Sequence, residues 1–228
     1  MSAEEWEVVR LSLQVSAVAV GGCAPLAFAL AWVLARGRFA GKILLDALVH
    51  LPLVLPPVVT GWLLLLAFGP EGPAGRWLEQ GLGVTFMFRW TGAALAAAIM
   101  ALPLMVRAMR LSIEAVDPRF EAAAMTLGAS RWRVFRTITL PLALPGVVAG
   151  GLLGFARSLG EFGATITFVS NIPGETRTLP LAIYGALQVP GAEAEVTRLA
   201  IVSVLLSLAA LVVSEVLARR MGRGSHVL

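Results

Sequence analysis

Five long apolar stretches, at about 11–35, 47–68, 91–111, 146–169 and 196–218, decide what this chain can fold into. Some twenty residues at a 1.5 Å rise match roughly 30 Å of bilayer hydrocarbon. Within one segment, only a helix satisfies its own backbone groups there. The expectation is an all-α integral membrane protein, a single domain over 1–228 with five transmembrane helices. Composition agrees: of 228 residues 58% are hydrophobic and only 14% charged, against roughly 25% charged in soluble domains. The N-terminal residues Glu4, Glu5 and Glu7 are acidic rather than basic, so the first stretch is expected to remain as an anchor rather than be cleaved.

Two of the stretches are not uniform. Pro52, Pro56, Pro57 and Gly61 interrupt the second, which excludes a straight helix through its first half. Such breaks occur at membrane depth where they line a cavity or are buried in protein, so Leu51 to Pro57 is either a pathway element or a packed kink. In the fourth, Arg157 and Glu161 stand four residues apart on one helical face and can pair. An ionisable residue in a span is by default a functional hypothesis. One reading places Ser158, Gly160, Glu161, Gly163 and Thr165 at a pore or gate; the other is a structural ion pair. Residues 181–189 are too short to span and suit an interfacial helix.

Basic residues set the orientation. Five spans put the termini on opposite sides, with Arg36, Arg38, Lys42, Arg110, Arg119, Arg131, Arg133, Arg136, Arg219, Arg220 and Arg223 on one and Arg10, Arg76, Arg89, Arg177 and Arg198 on the other. Eleven against five predicts the N-terminus outside and the C-terminus in the cytoplasm by the positive-inside rule. The net charge of +4 therefore reads as topology, not as nucleic-acid binding.

Catalytic constellations are absent from the pattern. His50 and His226 are the two histidines and Cys23 the one cysteine, too few for a metal site. No glycine-rich phosphate loop ends in Lys-Ser or Lys-Thr, so any ATP must be handled by another subunit. A conduit fits better than an enzyme.

The polar stretch at about 112–140 is the most specific feature. Asp117-Pro118 is a helix start, Gly128 a stop, and Ser130 an N-cap for a second short helix carrying Arg131, Trp132 and Arg133. Ala122, Ala123 and Ala124 permit close approach by a partner surface.

This stretch resembles the cytoplasmic loop of type I ABC importer permeases, which carries Glu-Ala-Ala, three residues, Gly, nine residues, Ile, one residue and Leu-Pro. Ala123-Ala124, Gly128, Ile138 and Leu140-Pro141 keep that spacing; Glu121 lies one place further from the glycine than the pattern has it. The resemblance implies the type I permease fold, with Glu121 to Ala124, Gly128, Ala129, Arg131, Trp132, Ile138, Leu140 and Pro141 forming a coupling-helix loop. That loop docks on a separate ABC ATPase subunit, which binds ATP and Mg; this chain binds no cofactor. It also implies a second copy of the permease, a periplasmic oxyanion-binding protein, and a bacterial inner membrane. Leu51 to Pro57, Arg157 to Phe168 and Val169 to Thr178 are similar to the molybdate permeases. The Glu161-Phe-Gly-Ala164 element is also found in sulfate and tungstate permeases, so those anions remain alternatives. A secondary transporter coupled through Arg157 and Glu161 is a further alternative, disfavoured by the lack of an inverted repeat.

Overall fold

The computed structural model describes residues 1–224. His226 and the side chains of Arg219, Arg220 and Arg223 lie outside the described residues. Among the described residues every regular element is helical. In order they are α1 (Ala3–Arg36), α2 (Lys42–Val54), α3 (Pro57–Phe68), α4 (Pro73–Leu82), α5 (Trp90–Glu114), α6 (Pro118–Thr126) and α7 (Arg131–Val134). A π turn (Phe135–Thr139) leads into α8 (Leu140–Leu159), and α9 (Gly163–Val169), α10 (Leu179–Leu187) and α11 (Glu193–Gly224) complete the chain.

Helix α1 begins before the apolar stretch because Ser2 and Glu5 form a capping box. The Ser2 hydroxyl accepts from the Glu5 amide and the Glu5 carboxylate from the Ser2 amide, satisfying two orphan donors of the first turn. Helices α1, α5 and α8 form the centre. Along α5, Ala93, Ala94, Ala96, Ala97 and Ala101 are all buried, and Gly150 and Gly154 of α8 face Met105. A Cβ at Gly154 would lie 2.6 Å from Met105 Cγ. Small residues thus bring the helices together where lipid leaves little hydrophobic drive for association. Helix α11 stands at the periphery, with only 6% of its apolar window buried.

Among the described residues four helical stretches are long and apolar enough to cross a membrane: Ala3–Arg36, Trp90–Glu114, Arg131–Leu159 and Glu193–Val213. Helices α2 and α3 are together long and apolar enough as well but are bent by 113° between them, so the proline-rich segment is a sharp break in the helix. Arg36 at the end of α1 reaches the carbonyls of Ile113 and Val116 at the end of α5. At the opposite end of the molecule Ser12 accepts from the Leu179 amide at 2.7 Å, and Glu5 pairs with Arg198 at 2.8 Å.

The fourth span differs from expectation in both its bounds. It begins at Arg131 rather than 146, so the short helix expected after Ser130 is the first turn of the span and not a separate element. The π turn explains the continuity: Pro141 lacks the amide that would bond to Thr137, and its ring crowds that carbonyl. Widening the turn relieves this, and the Leu140 amide bonds to the Phe135 carbonyl. The span ends at Leu159; Gly160 to Phe162 are non-helical, and 163–169 form a separate helix.

Candidate functional site

Two places gather the residues singled out by sequence. The first is the turn between α6 and α7. Asp117 caps α6 by accepting from the Arg119 amide at 2.8 Å, and Pro118 occupies the first turn, where no amide is needed. The helix ends at Gly128, whose φ of +85° is a left-handed conformation that glycine adopts without a Cβ penalty. Ser130 then caps α7 by accepting from the Arg133 amide. Nothing on α6 is buried. Phe120, Met125 and Trp132 are exposed, and Leu127 is 88% exposed. Ala122, Ala123, Gly128 and Arg131 are exposed with them, whereas Ala124, Ala129, Ile138 and Leu140 are half-buried and Pro141 is exposed.

Glu121 belongs to a different network. Its Oε1 accepts from Arg36 Nη2 at 2.9 Å and from the Thr139 hydroxyl at 2.7 Å. The carboxylate therefore ties α6 back to the end of α1 and to the π turn. Its displaced position in the motif aims it inward, while Ala122, Ala123 and Leu127 lie outward. Leu127, Arg36 and Thr139 are site residues that sequence reasoning did not single out. Only Leu127 carried a usable signal: a large apolar residue just before a helix-stopping glycine in a polar stretch.

The second place is where two helix breaks abut. Gly163, at the start of α9, packs on Pro57, at the start of α3; a Cβ on Gly163 would lie 2.7 Å from Pro57 Cβ. One turn further, a Cβ on Gly61 would lie 2.6 Å from the Ala164 carbonyl and 2.8 Å from Thr167 Cβ. The Leu55-Pro56 and Gly160-Phe162 discontinuities are thus held together glycine against backbone. Glu161, 3% exposed, closes the arrangement. Its Oε2 pairs with Arg157 Nη1 at 2.7 Å, and its Oε1 accepts from the Ala164 amide at 2.9 Å.

Around this junction Thr60 and Ser158 are buried, and their hydroxyls have no hydrogen-bond partner among the described residues. Thr165 is buried, and Pro56 and Gly160 are exposed. The junction offers hydroxyls, and its one cation, Arg157, is already neutralised by Glu161.

Gly61→Val is expected to drive α3 and α9 apart at a cost of about 1–3 kcal/mol, as for overpacking in a close-packed interior. Gly160→Ala is expected to be tolerated, because a Cβ there meets nothing within 4 Å. Thermal unfolding of the two purified variants checks this: equal melting temperatures would show that the junction is not tightly packed.

Residues 25–223 match the family model described as "Binding-protein-dependent transport system inner membrane component". The chain is 59% identical over 215 residues to the molybdenum transport system permease protein ModB of Escherichia coli K12, covering 94% of each chain. It is 57% identical over 217 residues to ModB of Haemophilus influenzae, covering 95% of each. Among solved structures, a bacterial ABC transporter involved in alginate import superposes with a TM-score of 0.75 at 18% identity, covering 96% of this chain and 80% of that one. The MetNI methionine ABC transporter superposes at 0.68 with 14% identity, covering 97% and 99%. These last two likenesses are of fold.

Proposed function

Because the chain belongs to the family of binding-protein-dependent transport system inner membrane components, we propose that it is the permease that carries molybdate through an ABC importer. The single observation that carries this reading is the 59% identity to an E. coli molybdenum permease across 94% of both chains. The permease has the type I fold and no catalytic role of its own; ATP and Mg belong to a separate ATPase subunit. It lies in the bacterial inner membrane as one transmembrane domain over residues 1–228. The N-terminus is periplasmic and the C-terminus cytoplasmic. A second copy completes the pathway, and a periplasmic oxyanion-binding protein delivers the cargo.

Helix α6 and the start of α7 are the coupling element. Exposed Ala122, Ala123 and Gly128 let the ATPase approach closely, and Leu127 supplies apolar contact. Since α7 continues into α8, displacement of the coupling element by the ATPase passes directly to the α8–α9 break. Through Glu121, Arg36 and Thr139 it passes also to α1. The junction of Pro57 with Gly163 lies at the far end of that helix and serves as the gate.

Substrate choice is tested with the assembled transporter and its binding protein in nanodiscs. Molybdate is expected to stimulate ATP hydrolysis and sulfate to leave it near the basal rate. Stimulation by sulfate with none by molybdate would assign the chain to the sulfate branch instead.

A further inference from the structure

A groove lies beside the coupling element, between the last two turns of α1 and the start of α7. Phe28, Trp32 and Val33 form its α1 wall; Arg131, Trp132 and Phe135 form the other, around a cavity of about 480 Å³. The floor is aromatic: Phe135 meets Phe28 at 6.2 Å and Trp32 edge-on at 5.0 Å, and Trp132 stacks on it at 5.3 Å.

We infer that this groove binds an anionic phospholipid of the leaflet on the coupling-helix side. Phe28 stands eight residues before Arg36 on α1, about 12 Å along the helix axis. The α1 wall therefore belongs to the apolar span, at a depth that a soluble subunit does not reach, while Arg131 marks the polar end. One end of the groove suits an acyl chain and the other a phosphate. Arg131 is exposed and makes no ion pair or side-chain hydrogen bond among the described residues. No carboxylate lines the groove. Glu121 shares the adjoining cavity with Arg131, but its carboxylate accepts from Arg36 and Thr139 instead. Tryptophan rings sit at headgroup level in a membrane, and basic groups between transmembrane helices bind anionic headgroups. A lipid seated there bridges α1 to the coupling element. This holds whichever anion is transported.

The test uses the assembled permease and ATPase complex in nanodiscs, with brominated phosphatidylglycerol or brominated phosphatidylcholine of matched acyl chains as quenchers of tryptophan fluorescence. The signal of Trp32 is the difference between the parent and Trp32→Phe, and Trp132→Phe supplies a second reporter. Phosphatidylglycerol is expected to quench the groove at about one fifth of the mole fraction that phosphatidylcholine needs, the preference one interfacial arginine confers. Arg131→Gln is expected to abolish that preference. Arg133→Gln, which removes an exposed arginine outside the groove, is expected to keep it. Equal quenching by both lipids, or a preference that survives Arg131→Gln or is lost in Arg133→Gln, overturns the inference. Absence of quenching of both tryptophans overturns it as well, because the groove is then closed by protein.

Discussion

Leu127→Asp is expected to weaken binding of the ATPase subunit roughly 30- to 100-fold, the equivalent of about 2–3 kcal/mol. Leu127 is 88% exposed, at the tip between α6 and the left-handed Gly128. In the permease alone that side chain contributes almost nothing, so its value lies in burial by a partner. Fully burying a leucine is worth about 1.5–3 kcal/mol, and an aspartate placed there adds an unpaired carboxylate to the interface. Because so little of Leu127 touches its own chain, the melting temperature of the isolated permease should stay at the parental value. Affinity measured by surface-immobilised permease in detergent checks the first part and thermal unfolding the second. Parental affinity would mean that α6 does not carry the docking.

Glu161→Ala is expected to lower permease stability by about 3 kcal/mol and to abolish uptake. Breaking a buried pair by deleting one partner typically costs about 3–5 kcal/mol; the lower figure applies because the Arg157 side chain is 27% exposed. Two losses combine. Arg157 is left without its partner, and the Ala164 amide without its acceptor. Glu161→Gln separates them, since the amide oxygen still accepts from Ala164 while the charge pair is gone. It should fall between the parent and Glu161→Ala in melting temperature. Parental stability and parental uptake in Glu161→Ala would make the pair a bystander.

The spans α1 and α5 were legible because each holds an apolar run of membrane-crossing length within one continuous helix. So were the ends of α6 and α7, where Asp117-Pro118, Gly128 and Ser130 each act through local chemistry. The fourth span was misplaced for a local reason too: apolar residues continue past Leu159, and hydropathy does not register the non-helical Gly160 to Phe162. Its early start depends on a π turn that accommodates Pro141. What stayed hidden is long-range. Glu121 meets Arg36 across 85 residues of sequence, and the match of Gly163 to Pro57 joins two segments separately suspected. The Arg157 and Glu161 pair was visible from spacing, but its second duty, capping α9, required knowing that a helix begins at Gly163.

In the proposed function, this permease moves its anion only when an ATPase docks on the α6–α7 turn. Uptake of radiolabelled molybdate into proteoliposomes containing the permease and binding protein, with and without the ATPase subunit, tests it most directly. Uptake is expected to require both the ATPase and ATP and to be lost with Leu127→Asp. Uptake that persists without the ATPase and follows an imposed ion gradient would contradict it.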